Sequence, residues 1–193
     1  MTVLIDSLAA AAEDLRELRR PFALVGGLAV SLRGEPRFTR DADLVVSVES
    51  DAAAEMTINA LIARGYAVDA VVEQEALGRL ATARLRSRVA GGVVVDLLFA
   101  SSGIEPEITE AAEVLTVARA LKMPVARTGH LVALKLLSSD PDSRRQDLID
   151  LDELRVVATD EDWLLAASAC RLIVERGFHR GRDLAQLLAS LRA

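Results

Sequence analysis

Two aspartates separated by one residue, Asp41 and Asp43, stand at the entrance to the β-branched run Asp43-Leu44-Val45-Val46-Ser47-Val48. Side chains at i and i+2 of a strand point to the same side, so this spacing presents two carboxylates together. Like charges that close call for a cation, and hard divalent ions such as Mg²⁺ take one or two carboxylates plus substrate phosphates. By spacing alone the pair also fits two exposed acids at a strand end. A third acid, Asp96, interrupts the apolar run Val93-Val94-Val95-Asp96-Leu97-Leu98-Phe99. An unpaired charge on a central strand costs several kcal/mol, so Asp96 needs either a partner arginine or a task in a site.

Upstream, Gly26 and Gly27 follow the apolar run Phe22-Ala23-Leu24-Val25. Without Cβ atoms the chain can turn sharply there and bring N–H groups up to a phosphate, helped by the start of a following helix; an ordinary strand-to-helix turn has the same sequence. Lys135 lies inside Leu131-Val132-Ala133-Leu134-Lys135-Leu136-Leu137, where its ammonium either snorkels to water or faces an anion. Asp147 and Asp150, three apart on a helix, share a side and could hold Lys135 or a nearby arginine, or form solvated charge. Arg84, Arg86 and Arg88 recur at every second residue, so they line one strand face, suited to RNA phosphates or to balancing an acidic surface. Arg176, His179, Arg180 and Arg182 form a second basic group near the C-terminus, a continuation of that track or plain helix-end charge.

The elements that must carry these residues follow from periodicity. Apolar positions at Leu4, Leu8, Ala11, Leu15 and Leu18 predict a helix over residues 3 to 19, closed by Pro21. Residues 22 to 25 read as a buried strand, Leu28 to Arg33 as a short helix, and Asp43 to Val48 as the next strand. A helix capped near Ser50 or Asp51 and stopped by Gly65 follows, then strands at Tyr66 to Val72, Thr82 to Val89 and Val93 to Phe99, the last two joined as a hairpin through Ala90-Gly91-Gly92. This predicts alternating helix and strand up to about residue 125, with one antiparallel pair at the end. Helical periods then fill 128 to 138, 143 to 155, 161 to 175 and 181 to 192, with Thr128, Ser143 and Asp160 as N-caps and Gly177 as a stop. The expected division is 1–125 as an α/β core and 126–193 as a helical C-terminal lobe.

Composition narrows the function. The chain has 193 residues, 51% hydrophobic and 27% charged, enough to bury a core behind a solvated surface. Aromatics at 3% leave too few rings for a base-stacking platform, and a net charge of −6 argues against coating nucleic acid over the whole surface while allowing a local basic face. The single cysteine, Cys170, sits in the alanine-rich AASACRLIV and reads as apolar filler rather than a nucleophile. The opening MTVLIDSLAAAAEDL places acids among apolar residues and lacks a cationic start, so neither a signal peptide nor a membrane span is expected, and a cytoplasmic location is.

The segments Leu24-Val25-Gly26-Gly27-Leu28-Ala29-Val30 and Arg37-Phe38-Thr39-Arg40-Asp41-Ala42-Asp43-Leu44 resemble the opening motif of the polymerase-beta-like nucleotidyltransferase superfamily. A second match, Leu131 to Leu136 followed by Arg144-Arg145-Gln146-Asp147-Leu148-Ile149-Asp150-Leu151, is similar to the AbiEii toxin family, which includes the mycobacterial MenT toxins of type IV toxin–antitoxin systems. The resemblance implies a nucleotidyltransferase core with a mixed sheet, and a catalytic set of Asp41, Asp43, Asp96, Lys135 and Asp147. It implies Mg²⁺ on Asp41, Asp43 and Asp96, and a nucleoside triphosphate on Gly26, Gly27 and Lys135. It further implies transfer of a pyrimidine nucleotide, CTP above all, to the 3′ end of tRNA, which blocks translation, and silencing by a cognate antitoxin. Thr39, two residues before Asp41, is then a candidate for regulatory phosphorylation, because a phosphate of about −1.5 to −2 charges there would repel the triphosphate; a threonine that only supports the turn is the plainer reading. Many members carry serine where this chain has Gly27, so contact with phosphate there is left to backbone N–H groups. Two other functions use the same residues: nucleotidyl transfer to a small molecule such as an antibiotic, and nucleotide binding without turnover.

Overall fold

A computed structural model describes residues 2–37, 39, 41–74, 78–89, 91–118, 121–140 and 144–193. In chain order its elements are α1 (Thr2–Glu17), β1 (Phe22–Val25), α2 (Gly26–Arg33), β2 (Ala42–Val46), α3 (Asp51–Ala63), β3 (Ala67–Gln74), β4 (Arg79–Arg86) and β5 (Val94–Leu98). There follow α4 (Glu105–Glu110), β6 (Glu113–Ala118), β7 (Leu121–Val125), α5 (Thr128–Ser138), α6 (Arg145–Val157), α7 (Asp160–Glu175) and α8 (Leu184–Arg192). The fold is α/β, and among the described residues the strands form one mixed seven-stranded sheet in the order β3-β4-β5-β2-β1-β7-β6.

The sheet centre is built from the apolar runs that pattern alone identifies. Leu24, Leu44, Val45, Leu85 and Leu97 are almost wholly buried there. β2 pairs with β5 in parallel, β1 with β7 in parallel, and β1–β2, β3–β4, β4–β5 and β6–β7 are antiparallel. The sequence reading expected one antiparallel pair; the β4–β5 hairpin is that pair, and three more accompany it. For β1–β2 and β3–β4 the strands are legible in the pattern but their pairing is not, and β6 and β7 are short, half-exposed strands, β7 interrupted by Lys122 and Pro124.

Other boundaries also moved. α2 begins at Gly26 rather than Leu28, so the glycine pair is the helix's own first turn. The cap of α5 is Arg127, and that of α7 is Thr159, whose hydroxyl accepts from Asp162 N–H while Asp162 accepts from Thr159 N–H. This capping box satisfies two orphan donors at once, which Asp160 in the first turn could not. Ser143 lies outside the described residues. Ser50 caps α3 as expected, and Gly177, at φ +81°, follows the end of α7.

α5 packs against both α6 and α7, and α2 touches α5 and α6, so helices after residue 127 close over the β1–α2 turn. Gly129 makes the α5–α7 approach possible: a Cβ there would stand 2.4 Å from the Asp162 carbonyl oxygen and 2.8 Å from Leu165 Cβ. Buried Asp14 on α1 accepts a 2.8 Å hydrogen bond from Tyr66 Oη and one of 3.0 Å from Arg88 Nε. Cys170 is buried, and burial pushes its thiol up to about 11, which keeps it protonated at neutral pH. Among the described residues no helix is long and apolar enough to cross a membrane.

Candidate nucleotidyl-transfer site

The site is set first by register. In the parallel β2–β5 pair Asp43 stands directly beside Asp96, and in the antiparallel β1–β2 pair Asp43 stands beside Val25, the residue before the glycine turn. Strand side chains alternate, so these pairings carry both acids to one place. Gly26 is required there twice over. It adopts φ +65°, a conformation that favours glycine, and a Cβ on it would lie 2.0 Å from Asp43 Oδ2. The Asp43 carboxyl therefore rests on the first turn of α2, whose N-terminal N–H groups favour negative charge.

The three acids differ in their surroundings. Asp41, just ahead of β2, is exposed; Asp43 is partly buried; Asp96 is buried at 8% exposure. Burial first, then the neighbouring Asp96 and Asp41, pushes the Asp43 carboxyl up to about 6, against an opposing pull from Lys135 and Arg84. Asp96 has a partner: Arg84, its cross-strand neighbour on β4, donates from Nε at 2.9 Å and from Nη2 at 2.7 Å. The alternative of an arginine-paired acid is thus what the structure shows for Asp96.

Across the cleft, α5 and α6 supply a closed ion network. Lys135 Nζ lies 2.6 Å from Asp147 Oδ1 and 2.7 Å from Asp150 Oδ2. Asp147 also accepts from Ser138 Oγ at 2.9 Å, and Asp150, wholly buried, accepts from Arg37 Nη2 at 2.9 Å and Gln146 Nε2 at 3.1 Å. Burial pushes Asp150 toward its neutral form, but the hydrogen bonds from Lys135 and Arg37 outweigh it and hold the carboxyl below the usual carboxylate range. Of the two helix acids, Asp147 alone was expected in the site; Asp150 is the more deeply engaged, and its three-residue spacing from Asp147 carried the signal. Arg37 also went unassigned, although it opens the quoted motif; Phe38 and Arg40 of that motif lie outside the described residues.

Gly26, Gly27, Asp43, Asp96, Lys135 and Asp147 all border one cleft of about 1190 Å³, and Thr39, Arg84, Arg144 and Arg180 reach it too. Thr39 donates from Oγ1 to the Asp41 carbonyl at 3.1 Å. Buried Glu105 fixes the loop after β5 by accepting from Ser101 N–H at 2.9 Å and Ser102 N–H at 2.7 Å. The arginines of β4 alternate outward as expected, and each meets an acid: Arg84 with Asp96, Arg86 with Asp69, and Arg88, beyond the strand, with Asp14. Arg180 donates to the Ser101 carbonyl at 2.8 Å, at a left-handed φ of +53°. Burial, then the neighbouring Arg144, lowers the Arg180 pKa.

A metal fits the acid wall by chemistry. Among the described residues no three histidine, cysteine or acidic side chains are grouped closely enough to hold an ion unaided. Yet burial, then Asp96 and Asp41 beside it, disfavours the ionised Asp43 carboxyl, a cost that a divalent cation relieves, and a hard ion of this class completes its shell with phosphate oxygens and water. The residues suit an oxygen-bound ion shared with a substrate.

No curated protein sequence matches the chain. Among solved structures, an antigenic nucleotidyltransferase-like protein from Paracoccidioides brasiliensis superposes with a TM-score of 0.55 at 20% identity, covering 97% of this chain and 93% of the other. The antibiotic-resistance factor ANT(2'')-Ia gives a TM-score of 0.48 at 19% identity over 98% and 87% of the two chains. MenT4, a nucleotidyltransferase toxin of Mycobacterium tuberculosis, gives 0.43 at 16% identity over 100% and 96%. The sequence profile of the nucleotidyl transferase AbiEii toxins of type IV toxin–antitoxin systems matches residues 9–192. That span takes in the glycine turn, both acid strands and the helices bearing Lys135 and Asp150, and the chain belongs to this AbiEii toxin family.

Proposed function

We propose that the protein transfers a nucleoside monophosphate from a nucleoside triphosphate, a pyrimidine nucleotide and CTP above all, to the 3′ end of tRNA, and so blocks translation. The observation that carries this reading is the placement of Asp43 beside Asp96 on one wall of a cleft whose other wall presents Lys135. In the reaction the acceptor hydroxyl oxygen bonds to the α-phosphorus, the bond from that phosphorus to the bridging oxygen breaks, and pyrophosphate leaves. Asp96, oriented by Arg84, takes the hydroxyl proton; each of its oxygens keeps a second lone pair beyond the arginine bonds. Lys135 faces the triphosphate, and Asp147 and Asp150 hold its ammonium in place. Mg²⁺, when bound on Asp41, Asp43 and Asp96, supplies charge neutralisation for the phosphates.

The choice of a polyanionic acceptor is supported by Arg84, Arg144 and Arg180 at the cleft border, with Arg86 and Arg88 extending the basic strand face. Incubation with each labelled nucleoside triphosphate, Mg²⁺ and total tRNA should place label on RNA, most strongly from CTP. No label from any of the four nucleotides would sink the reading, and label on an aminoglycoside in preference to tRNA would replace it. Tight tRNA binding should weaken steeply with salt.

A cytoplasmic setting and a cognate antitoxin belong to the same proposal. One way to silence the site is phosphorylation of Thr39, whose hydroxyl is bonded to the Asp41 carbonyl at the cleft edge. The Thr39→Glu protein should then lose most of its transfer activity while melting like the wild type; full activity would remove Thr39 from the regulation.

A further inference from the structure

We infer that Arg37 is a phosphate-binding residue of the triphosphate subsite, seated where a side chain on residue 27 would stand, and that Asp150 is its positioning residue. This rests on the nucleotide-transfer reading of the cleft. A Cβ on Gly27 would lie 2.4 Å from Arg37 Nη2, 3.0 Å from Cζ and 3.2 Å from Nη1, so the guanidinium lies over the first turn of α2. The space at residue 27 is therefore not bare. It holds a permanent cation with a planar fork of donors, suited to bidentate recognition of phosphate.

Asp150 and Ser31 hold Arg37 in that position. Arg37 Nε lies 2.8 Å from Asp150 Oδ1 and Nη2 donates to Oδ2 at 2.9 Å, a paired geometry on a carboxylate with no exposure. The Arg37 backbone N–H donates to Ser31 Oγ at 3.3 Å, and Ser31 Oγ donates to the Gly27 carbonyl at 3.0 Å, tying the segment back to the turn it covers. Lys135 shares the same Asp150 oxygen, so one buried carboxylate holds two cations at the cleft border. The Arg37 side chain is 23% exposed and lines the cleft together with Gly26, Gly27 and Lys135, so an anion seated on the first turn of α2 meets its guanidinium. Residue 27 and residue 37 thus compete for a single volume: a hydroxymethyl group on 27 displaces the guanidinium from Asp150.

The test measures triphosphate affinity by calorimetry, with Mg²⁺, for the four nucleoside triphosphates, inorganic triphosphate and cytidine as a phosphate-free control. Variants are Arg37→Gln, Arg37→Lys, Gly27→Ser and the double Gly27→Ser/Arg37→Gln, each with its melting temperature. Arg37→Gln should weaken the best-bound triphosphate and inorganic triphosphate tenfold or more and leave cytidine unchanged, with Arg37→Lys in between. Gly27→Ser should weaken them similarly, and the double variant should be no worse than Arg37→Gln. Arg37→Gln within twofold of wild type, or losses that multiply in the double variant, would overturn the inference, as would a wild type that binds no triphosphate. Because the readout is binding, a wild type that binds triphosphate without labelling RNA defeats the transfer reading alone.

Discussion

Two carboxylates on facing walls of the cleft, half-buried Asp43 and wholly buried Asp150, are pushed in opposite directions. Asp43 rises to about 6 through burial and the acids beside it, whereas Asp150 falls below the carboxylate range because Lys135 and Arg37 are bonded to it. The strand wall is short of positive charge and the helix wall is internally neutralised. What differs is therefore what each wall can still take: the first can accept a cation, and the second can present its cations to an anion without leaving an acid stranded.

The sharpest way to break this comparison is Asp43→Asn. Transfer should fall about a thousandfold or more, equivalent to roughly 4 kcal/mol of transition-state stabilisation, and label incorporation measures it. The same substitution should raise the melting temperature of the metal-free protein at pH 7.5, because it removes a strained charge; a lowered melting point would mean that Asp43 is a structural acid. On the other wall Asp150→Ala should cost about 3–5 kcal/mol in urea unfolding, since it removes the buried carboxylate that Arg37 and Lys135 share and leaves Lys135 to Asp147. A loss below about 1 kcal/mol would show the network to be a surface pair in disguise.

pH separates the walls again. The raised Asp43 pKa contributes stability that is full below its ordinary value near 4 and lost as pH rises through about 6. Ionised Asp43 is the form that holds a cation, so transfer should instead fall as pH drops through about 6, and Asp43→Asn should flatten the stability profile there. The smallest effect is expected at Arg86, whose exposed pair with Asp69 is worth about 0.5 kcal/mol or less. Arg86→Ala should leave unfolding nearly unchanged and, with the strand face on RNA, lower the salt slope of tRNA binding by about one.

The acid wall was legible in the sequence because strands announce their faces. A charge inside Val93–Phe99 and an alternating Asp41–Asp43 pair reveal a shared face before any partner strand is known, though the Arg84 bond to Asp96 depends on cross-strand register, which pattern does not state. The helix wall was half legible. Lys135 stood out against its apolar helix, but that Asp150 rather than Asp147 is wholly enclosed depends on how α2 packs against α5 and α6. Arg37 was hidden for a related reason: its role comes from an emptiness at Gly27 that only the folded turn defines. β6 escaped because an edge strand needs neither an apolar face nor strict alternation, and β7, one place inward, because Lys122 and Pro124 interrupt its pattern.

Gly129 does not line the cleft, yet the seating of α5 depends on it. Its missing Cβ lets α5 butt against the backbone of α7 at Asp162, and the same helix carries Lys135 further along. A methyl group there acts as a wedge under one end of a lever. In a growth selection for harmless versions of this toxin, Gly129→Ala should arise as an escape variant that still accumulates as folded protein, and its revertants should map to α7.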